Sequence, residues 1–120
     1  MIEWFTGNTG AGKTTAATKR AKKLRAILLD GDRMRELWPE LDHSKESRVL
    51  NTRRIAHLAK ELDVQGFTVI VAAICPYNFL QEEVVEKLNC KLIYVQGGKE
   101  ASQRYPYEIP KNPDRIIKSQ

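Results

Sequence analysis

A parallel β-sheet held between two layers of helices (three-layer α/β/α) is the fold this 120-residue sequence predicts, and two observations predict it. Short apolar runs alternate with helical patterns along the chain, which is the βαβ signature of a sheet covered on both faces. Residues 7 to 14 read GNTGAGKT, satisfying G-x-x-x-x-G-K-S/T in full, and they follow the apolar run Met1 to Phe5 directly, as a loop after a first strand should.

The elements follow in order. The first strand is predicted over Ile2 to Thr6. In the loop, Gly7, Gly10 and Gly12 let backbone N–H groups close on a triphosphate with no side chain in the way, and Asn8, Thr9 and Ala11 complete the cradle. Lys13 supplies a point charge toward the β- and γ-phosphates and Thr14 a hydroxyl toward Mg²⁺. With Thr15 a helix is under way whose positive end faces the anion. This places the chain in the P-loop NTPase class, with ATP and Mg²⁺ as the predicted cofactors. Ala17, Ala21 and Leu24 form the buried face of that helix. Lys19, Arg20, Lys22, Lys23 and Arg25 fall mostly outside it, as a solvated face or, alternatively, a nucleic-acid patch.

A second strand is predicted over Ala26 to Asp30. A long helix runs from about Glu46, with Ile55, Leu58, Ala59 and Leu62 as its buried stripe and Gly66 as its stop. Phe67 to Ile74 reads as the third strand, Tyr77 to Leu88 as a helix opened by Pro76, and Lys91 to Gln96 as the fourth strand. The tail from Gly97 to Gln120 carries Pro106, Pro110 and Pro113 and reads as irregular, with a weak fifth strand at Arg115 to Lys118. No repeat or linker interrupts the pattern, so residues 1 to 120 are predicted to form one domain.

Composition sets limits on function. At 42% hydrophobic and 29% charged residues, the chain suits a single core. The formal net charge of +5 fits a site for polyanionic nucleotides without requiring a nucleic-acid polymer, which is not the expected partner. Cys75 and Cys90 show neither CxxC spacing nor His partners, so no zinc site or disulfide framework is indicated. No apolar stretch approaches membrane-spanning length, and the first strand begins at once, leaving no room for a signal peptide. A cytoplasmic location is the expectation.

The second chemical feature is LLDGDRMR at residues 28 to 35, where an apolar strand ends in two carboxylates separated by one glycine. If strand geometry persists, Asp30 and Asp32 project to one side, beyond the carboxyl end of the strand, where ligands sit in open α/β sheets. One can hold Mg²⁺ through water while the other orients or deprotonates an attacking hydroxyl. An Asp-Gly turn with Asp32 capping the next helix is the structural alternative. The third strand ends in VIVAAIC without a carboxylate, which points to a kinase-type site served by the second strand. Farther on, Arg48, Asn51 and Arg54 recur at i, i+3, i+6 and can grip a second anionic substrate, Arg by its fork and Asn by reading a base or sugar. An ordinary charged helix face has the same spacing.

These residues together resemble the adenylyl-sulfate kinases, which phosphorylate the 3'-hydroxyl of adenosine 5'-phosphosulfate (APS) with ATP. Beyond the phosphate loop, the family's D-G-D-N-V-R is similar to Asp30 to Arg35, its F-S-x-x-x-R-x-x-N-I-R-R-I to His43 to Ile55, its I-S-P-Y to Ile74 to Tyr77, and its P-Y-E-x-P-x-x-P-D to Pro106 to Asp114. The ordered set is specific and spans nearly the whole chain. The resemblance implies strand order 2-3-1-4-5, Asp32 as the base toward the acceptor hydroxyl, and Asp30 near Mg²⁺. It also implies that Arg35, Asn51, Arg54 and the segment Ile74, Cys75, Pro76 and Tyr77 surround APS.

Departures from the family pattern concern the acceptor and the cover. Arg33 replaces Asn, His43 stands where the family's Phe stacks on the acceptor adenine, and Cys75 replaces Ser. The arginine-bearing lid is reduced to the ten residues Gly97 to Pro106, in which Arg104 is the sole arginine able to act for it. Such a trimmed site is expected to be lidless, and therefore slow, leaky to ATP hydrolysis, or covered by another subunit, and a homodimer is the expected assembly. Two other functions stay open: a P-loop kinase for another acceptor (nucleoside, nucleic-acid 5'-hydroxyl or small metabolite), and a nucleotide-binding module without efficient transfer.

Overall fold

The computed structural model describes residues 1–118. Five strands, β1 (Ile2–Thr6), β2 (Ile27–Asp30), β3 (Val69–Ala72), β4 (Lys91–Val95) and β5 (Arg115–Ile117), form one sheet in the order β2-β3-β1-β4-β5. Every pairing is parallel, so the order implied by the family resemblance is the one observed. Four helices connect them: α1 (Lys13–Leu24), α2 (Gly31–Arg35), α3 (Lys45–Val64) and α4 (Asn78–Leu88). Alternation along the strands divides the core in two. Trp4, Val69 and Val71 point to the face covered by α3 and α4, where they meet Ile55, Ala59, Leu80 and Val84. Phe5, Ile70 and Ala72 point to the α1 face and meet Ala17 and Ala21.

Where the observed bounds differ from the predicted ones, hydrogen bonding explains the difference. Ala26 donates its N–H to Ala21 O at 2.8 Å and so finishes the turn of α1 instead of opening β2. The third strand is shorter than Phe67 to Ile74 because only Val69–Ala72 has partners in both β1 and β2, and beyond Ala72 the chain turns away to line a cavity. The stripe of α3 is Thr52, Ile55, Ala56 and Ala59, whereas Leu58, predicted to be buried, is exposed at the margin of that arc and Leu62 is half-buried. The tail is irregular apart from β5, as predicted, and residues 119 and 120 of that stretch lie outside the described residues.

All the strands point their carboxyl ends the same way, so the loops after β1, β2, β3 and β4 gather at one edge of the sheet, where open α/β folds place their ligands.

Candidate active site

At that edge lies a cavity of about 820 Å³, within the range usual for small-molecule sites, roughly 300–1,000 Å³. Its floor is the loop between β1 and α1. Gly10 and Gly12 hold φ of +81° and +97°, a conformation open to glycine and strained for other residues. Gly7 is required for another reason: a Cβ there would sit 2.5 Å from Val95 O. No side chain caps the N-terminus of α1, so its first N–H groups remain available to an anion. Asn8, Thr9, Gly10, Gly12, Lys13, Thr14 and Thr15 line the cavity, while Gly7 and Ala11 shape the loop from behind.

The Lys13 ammonium donates to Asn8 O at 3.1 Å. Burial lowers its pKa, and the nearby charges of Asp32 and Asp30 work in the opposite direction. A half-buried cation with an incomplete set of partners is suited to receive a polyphosphate. Thr14 Oγ1 donates to Asp30 Oδ2 at 2.9 Å. Because the hydroxyl proton goes to Asp30, the lone pairs of Thr14 Oγ1 are left for a cation, so this donor set fits a hard divalent ion that also takes phosphate oxygens.

The two aspartates differ more than the sequence predicts. Strand geometry does not persist past Asp30, so the two carboxylates do not share a strand face. Asp30, not Asp32, caps the next helix, its Oδ1 accepting from Asp32 N at 3.0 Å and Arg33 N at 3.4 Å. Asp30 is therefore held at both oxygens. Asp32 occupies the first turn of α2 and faces the cavity, and its carboxylate makes no hydrogen bond among the described residues. That leaves Asp32 free to meet a hydroxyl.

Arg35, His43, Arg48, Asn51 and Thr52 form the opposite wall. Arg35 donates through Nη2 to the carbonyl of Asp42. Asn51 is oriented by Trp38, whose Nε1 donates to Asn51 Oδ1 at 2.7 Å. Arg54 is not brought to the cavity: it pairs with Glu40 at 2.8 Å and lies over the Trp38 ring. Each three-residue step on an α-helix falls about 60° short of a full turn, so Arg54 points about 120° away from Arg48.

Ile74, Cys75 and Pro76 line the site after β3, whereas Tyr77 stacks outside it on Phe79 with ring centroids 5.7 Å apart. Cys75 has φ +47°, unusual for a residue with a side chain, and its carbonyl accepts from the buried Gln81 at 3.1 Å. Burial pushes its thiol pKa far up, which removes it as a nucleophile.

The ten residues 97–106 do not leave the site lidless. Gln103, Arg104, Tyr105 and Pro106 line the cavity, and Arg48 Nη2 lies 3.5 Å from Arg104 O. The Arg104 guanidinium sits over the Tyr105 ring, 5.4 Å from its centroid. Behind them, Tyr107 and Thr6 share a hydrogen bond of 2.9 Å, and Thr6 donates onward to Ile74 O. Sequence reasoning missed Thr52, Trp38 and Tyr105. Of these, only Trp38 gave a signal, as a large aromatic beside a proline between two charged stretches.

A family model described as adenylylsulphate kinase matches residues 1–105. A probable adenylyl-sulfate kinase of Pyrococcus abyssi is 46% identical over 85 residues, an alignment covering 66% of this chain and 49% of the relative. The adenylyl-sulfate kinase of Synechococcus sp. (strain JA-3-3Ab) is 42% identical over 145 aligned positions, covering 97% of this chain and 82% of the relative. Among solved structures, the Mycobacterium tuberculosis APS kinase in complex with AMPPNP and APS superimposes with a TM-score of 0.84 at 27% identity, covering 98% of this chain and 87% of that one. The chain thus spans about half the length of the Pyrococcus relative and most of the other two.

Proposed function

We propose that this chain, which belongs to the adenylylsulphate kinase family, transfers the γ-phosphate of ATP to the 3'-hydroxyl of APS. Membership makes it an ATP-dependent kinase. The observation that carries the acceptor reading is the convergence, in one cavity, of the phosphate loop, an unengaged carboxylate at Asp32, and a wall holding Arg35, His43, Arg48 and Asn51.

In this mechanism the loop amides and Lys13 hold the triphosphate, and Lys13 meets the charge that develops on the migrating phosphoryl group. Asp32 accepts the proton of the acceptor hydroxyl. A bond forms between that oxygen and the γ-phosphorus as the bond from phosphorus to the ADP oxygen breaks. Thr14 and Asp30 would hold Mg²⁺, which when bound neutralises charge on the β- and γ-oxygens. Asn51, set by Trp38, and His43, at the position of the family's stacking ring, orient the acceptor nucleoside, and Arg48 and Arg35 favour its anionic groups.

The containment of Arg54 by Glu40 and Trp38 favours a second reading, a kinase whose acceptor is smaller or differently charged than APS. Binding without transfer fits less well with an Asp32 carboxylate left unengaged toward the cavity. We read residues 1–120 as one kinase domain working in the cytoplasm; among the described residues no helix is long and apolar enough to cross a membrane. The groove of about 520 Å³ between α1 and β5 is lined by Lys19, Arg20, Lys23, Arg115 and Lys118, so it offers a second copy of this basic chain no complementary face, and the homodimer reading rests on the trimmed cover alone.

The test is ADP release from Mg-ATP with and without APS, using Lys13→Ala as the blank for contaminating kinases. APS-dependent ADP is the expected result. Turnover that ignores APS but answers to another hydroxyl acceptor would replace the first reading by the second.

A further inference from the structure

A buried asparagine in the phosphate loop holds both ends of the segment that covers the site. Asn8 is 4% exposed, and its Nδ2 donates to Lys99 O at 3.0 Å and to Tyr105 O at 3.1 Å. Its Oδ1 accepts from Thr9 N at 2.8 Å, so both amide hydrogens and the carbonyl are in use. Two further contacts pin the entry of the segment: Lys99 donates its N–H to Thr9 O at 2.8 Å, and Gly98 packs so closely that a Cβ there would lie 2.5 Å from Thr9 O and 2.7 Å from Ala11 N. Between the clamped carbonyls the chain closes on itself. Ser102 N donates to Tyr105 O at 3.1 Å, and Tyr105 N returns to Ser102 Oγ at 3.1 Å. The Tyr105 ring is flanked by the Lys99 ammonium and the Arg104 guanidinium.

The same residue also reaches the catalytic lysine, because the main-chain carbonyl of Asn8 accepts from Lys13 Nζ at 3.1 Å. From these contacts we infer that Asn8 is a positioning residue that fixes the 97–106 segment as a permanent cover, so that Gln103 and Arg104 stand over the cavity before substrate arrives. A mobile lid reaches its closed state only after substrate is bound; here the closed arrangement is built into the phosphate loop. Its value is exclusion of water from the γ-phosphate and registration of Arg104 against Arg48 across the cavity. The part of this inference that concerns transfer rests on the kinase reading; the clamp itself does not.

The decisive variant is Asn8→Asp, which keeps the size and the acceptor for Thr9 N but points a carboxylate at two carbonyls. Gly98→Ala disturbs the adjoining contact, where the entry of the segment packs on Thr9 and Ala11 of the phosphate loop. With each purified protein, trypsin cleavage after Lys99 and Arg104 is timed against cleavage at exposed lysines elsewhere. ADP formation from Mg-ATP is then measured with and without APS. We expect both variants to be cut at least about tenfold faster at Lys99 and Arg104 and at an unchanged rate elsewhere, as for a local opening that breaks the two part-buried hydrogen bonds of Asn8. The fraction of ADP formed without acceptor should rise, with kcat for transfer falling more than KM for ATP changes. Uniform acceleration at all sites would make Asn8 a general stability residue and overturn the inference, as would wild-type cleavage and coupling in both variants. Proteolysis and acceptor-free hydrolysis are read without APS, so failure of the APS reading alone would leave the clamp result standing.

Discussion

The two walls of the cavity are made of different material. The donor wall, Gly7 to Thr15, is mostly backbone, left-handed glycines and an uncapped helix start, to which Lys13 and Thr14 add their side chains. The acceptor wall, from Asp32 to Asn51, is side chains, and several are set by partners elsewhere, as Asn51 is by Trp38 and Arg35 by Asp42, while the Asp32 carboxylate is left unengaged. A backbone site depends on a short run of sequence and tolerates change in its surroundings. A side-chain site depends on many neighbours, so its specificity can shift while the donor site stays intact.

The largest effects are expected at the donor wall. Lys13→Ala should reduce kcat by about 10²-fold or more, the size seen when one preorganised charge is removed from a developing anion. It should not lower the melting temperature, because burial already works against the Lys13 charge in the folded chain. Paired rate and melting measurements check both halves. A lysine whose loss unfolds the chain while sparing the rate would dissolve the contrast between the walls.

Asp32→Asn comes next, with an expected loss of roughly 10² to 10⁴ in transfer, the range of general base catalysis, and unchanged ATP affinity by calorimetry. Asp30→Ala should act differently. It should lower stability by about 1 kcal/mol through loss of the α2 cap and also weaken the metal dependence of the rate. Equal behaviour of the two variants would mean that the carboxylates do not divide labour.

On the acceptor wall the effects should be smaller and confined to one substrate. Trp38→Phe removes the bond to Asn51 Oδ1 and should raise the acceptor KM about threefold to tenfold while leaving the ATP KM alone. Arg54→Ala, outside the cavity, should move that constant less than Arg48→Ala does. The reverse order would show that Arg54 swings inward on binding.

The smallest effect lies at the entry to α3. Hydrogen bonds from Ser44 and Ser47 hold the Asp42 carboxyl at a pKa of about 2, against 3.8 for the free side chain. A depressed carboxylate contributes stability that is complete above its unfolded pKa and is lost as pH falls through the folded one. Asp42→Asn should therefore melt below the wild type at pH 6, and the gap should close between about pH 4 and pH 2. A gap that persists at pH 2 would assign the effect to something other than the ionised carboxylate.

The same difference in material decided what could be read in advance. The phosphate loop was legible in full because glycine geometry and a helix start are local properties, whereas strand order was available only through the family resemblance, since pairing between distant strands leaves no local signal. The Asp30 and Asp32 roles were legible as a pair but not in their geometry, since the helix begins one residue sooner than strand continuation implies and hands the cap to Asp30. Arg54 was misplaced because even spacing by three was read as one face. Asn8 was legible only as loop backbone; that its side chain grips Lys99 and Tyr105 depends on a return of the chain about 90 residues later, beyond the reach of periodicity.

Phosphate transfer to APS in this cavity is open to direct observation in a single turnover with ATP that carries ¹⁸O on its γ-phosphoryl group, the products being followed by ³¹P NMR. The labelled phosphoryl group is expected on the 3'-oxygen of APS, at a rate lowered about 10² to 10⁴-fold in Asp32→Asn. Its release as inorganic phosphate, or its arrival on another acceptor in preference to APS, would show that APS is not the acceptor.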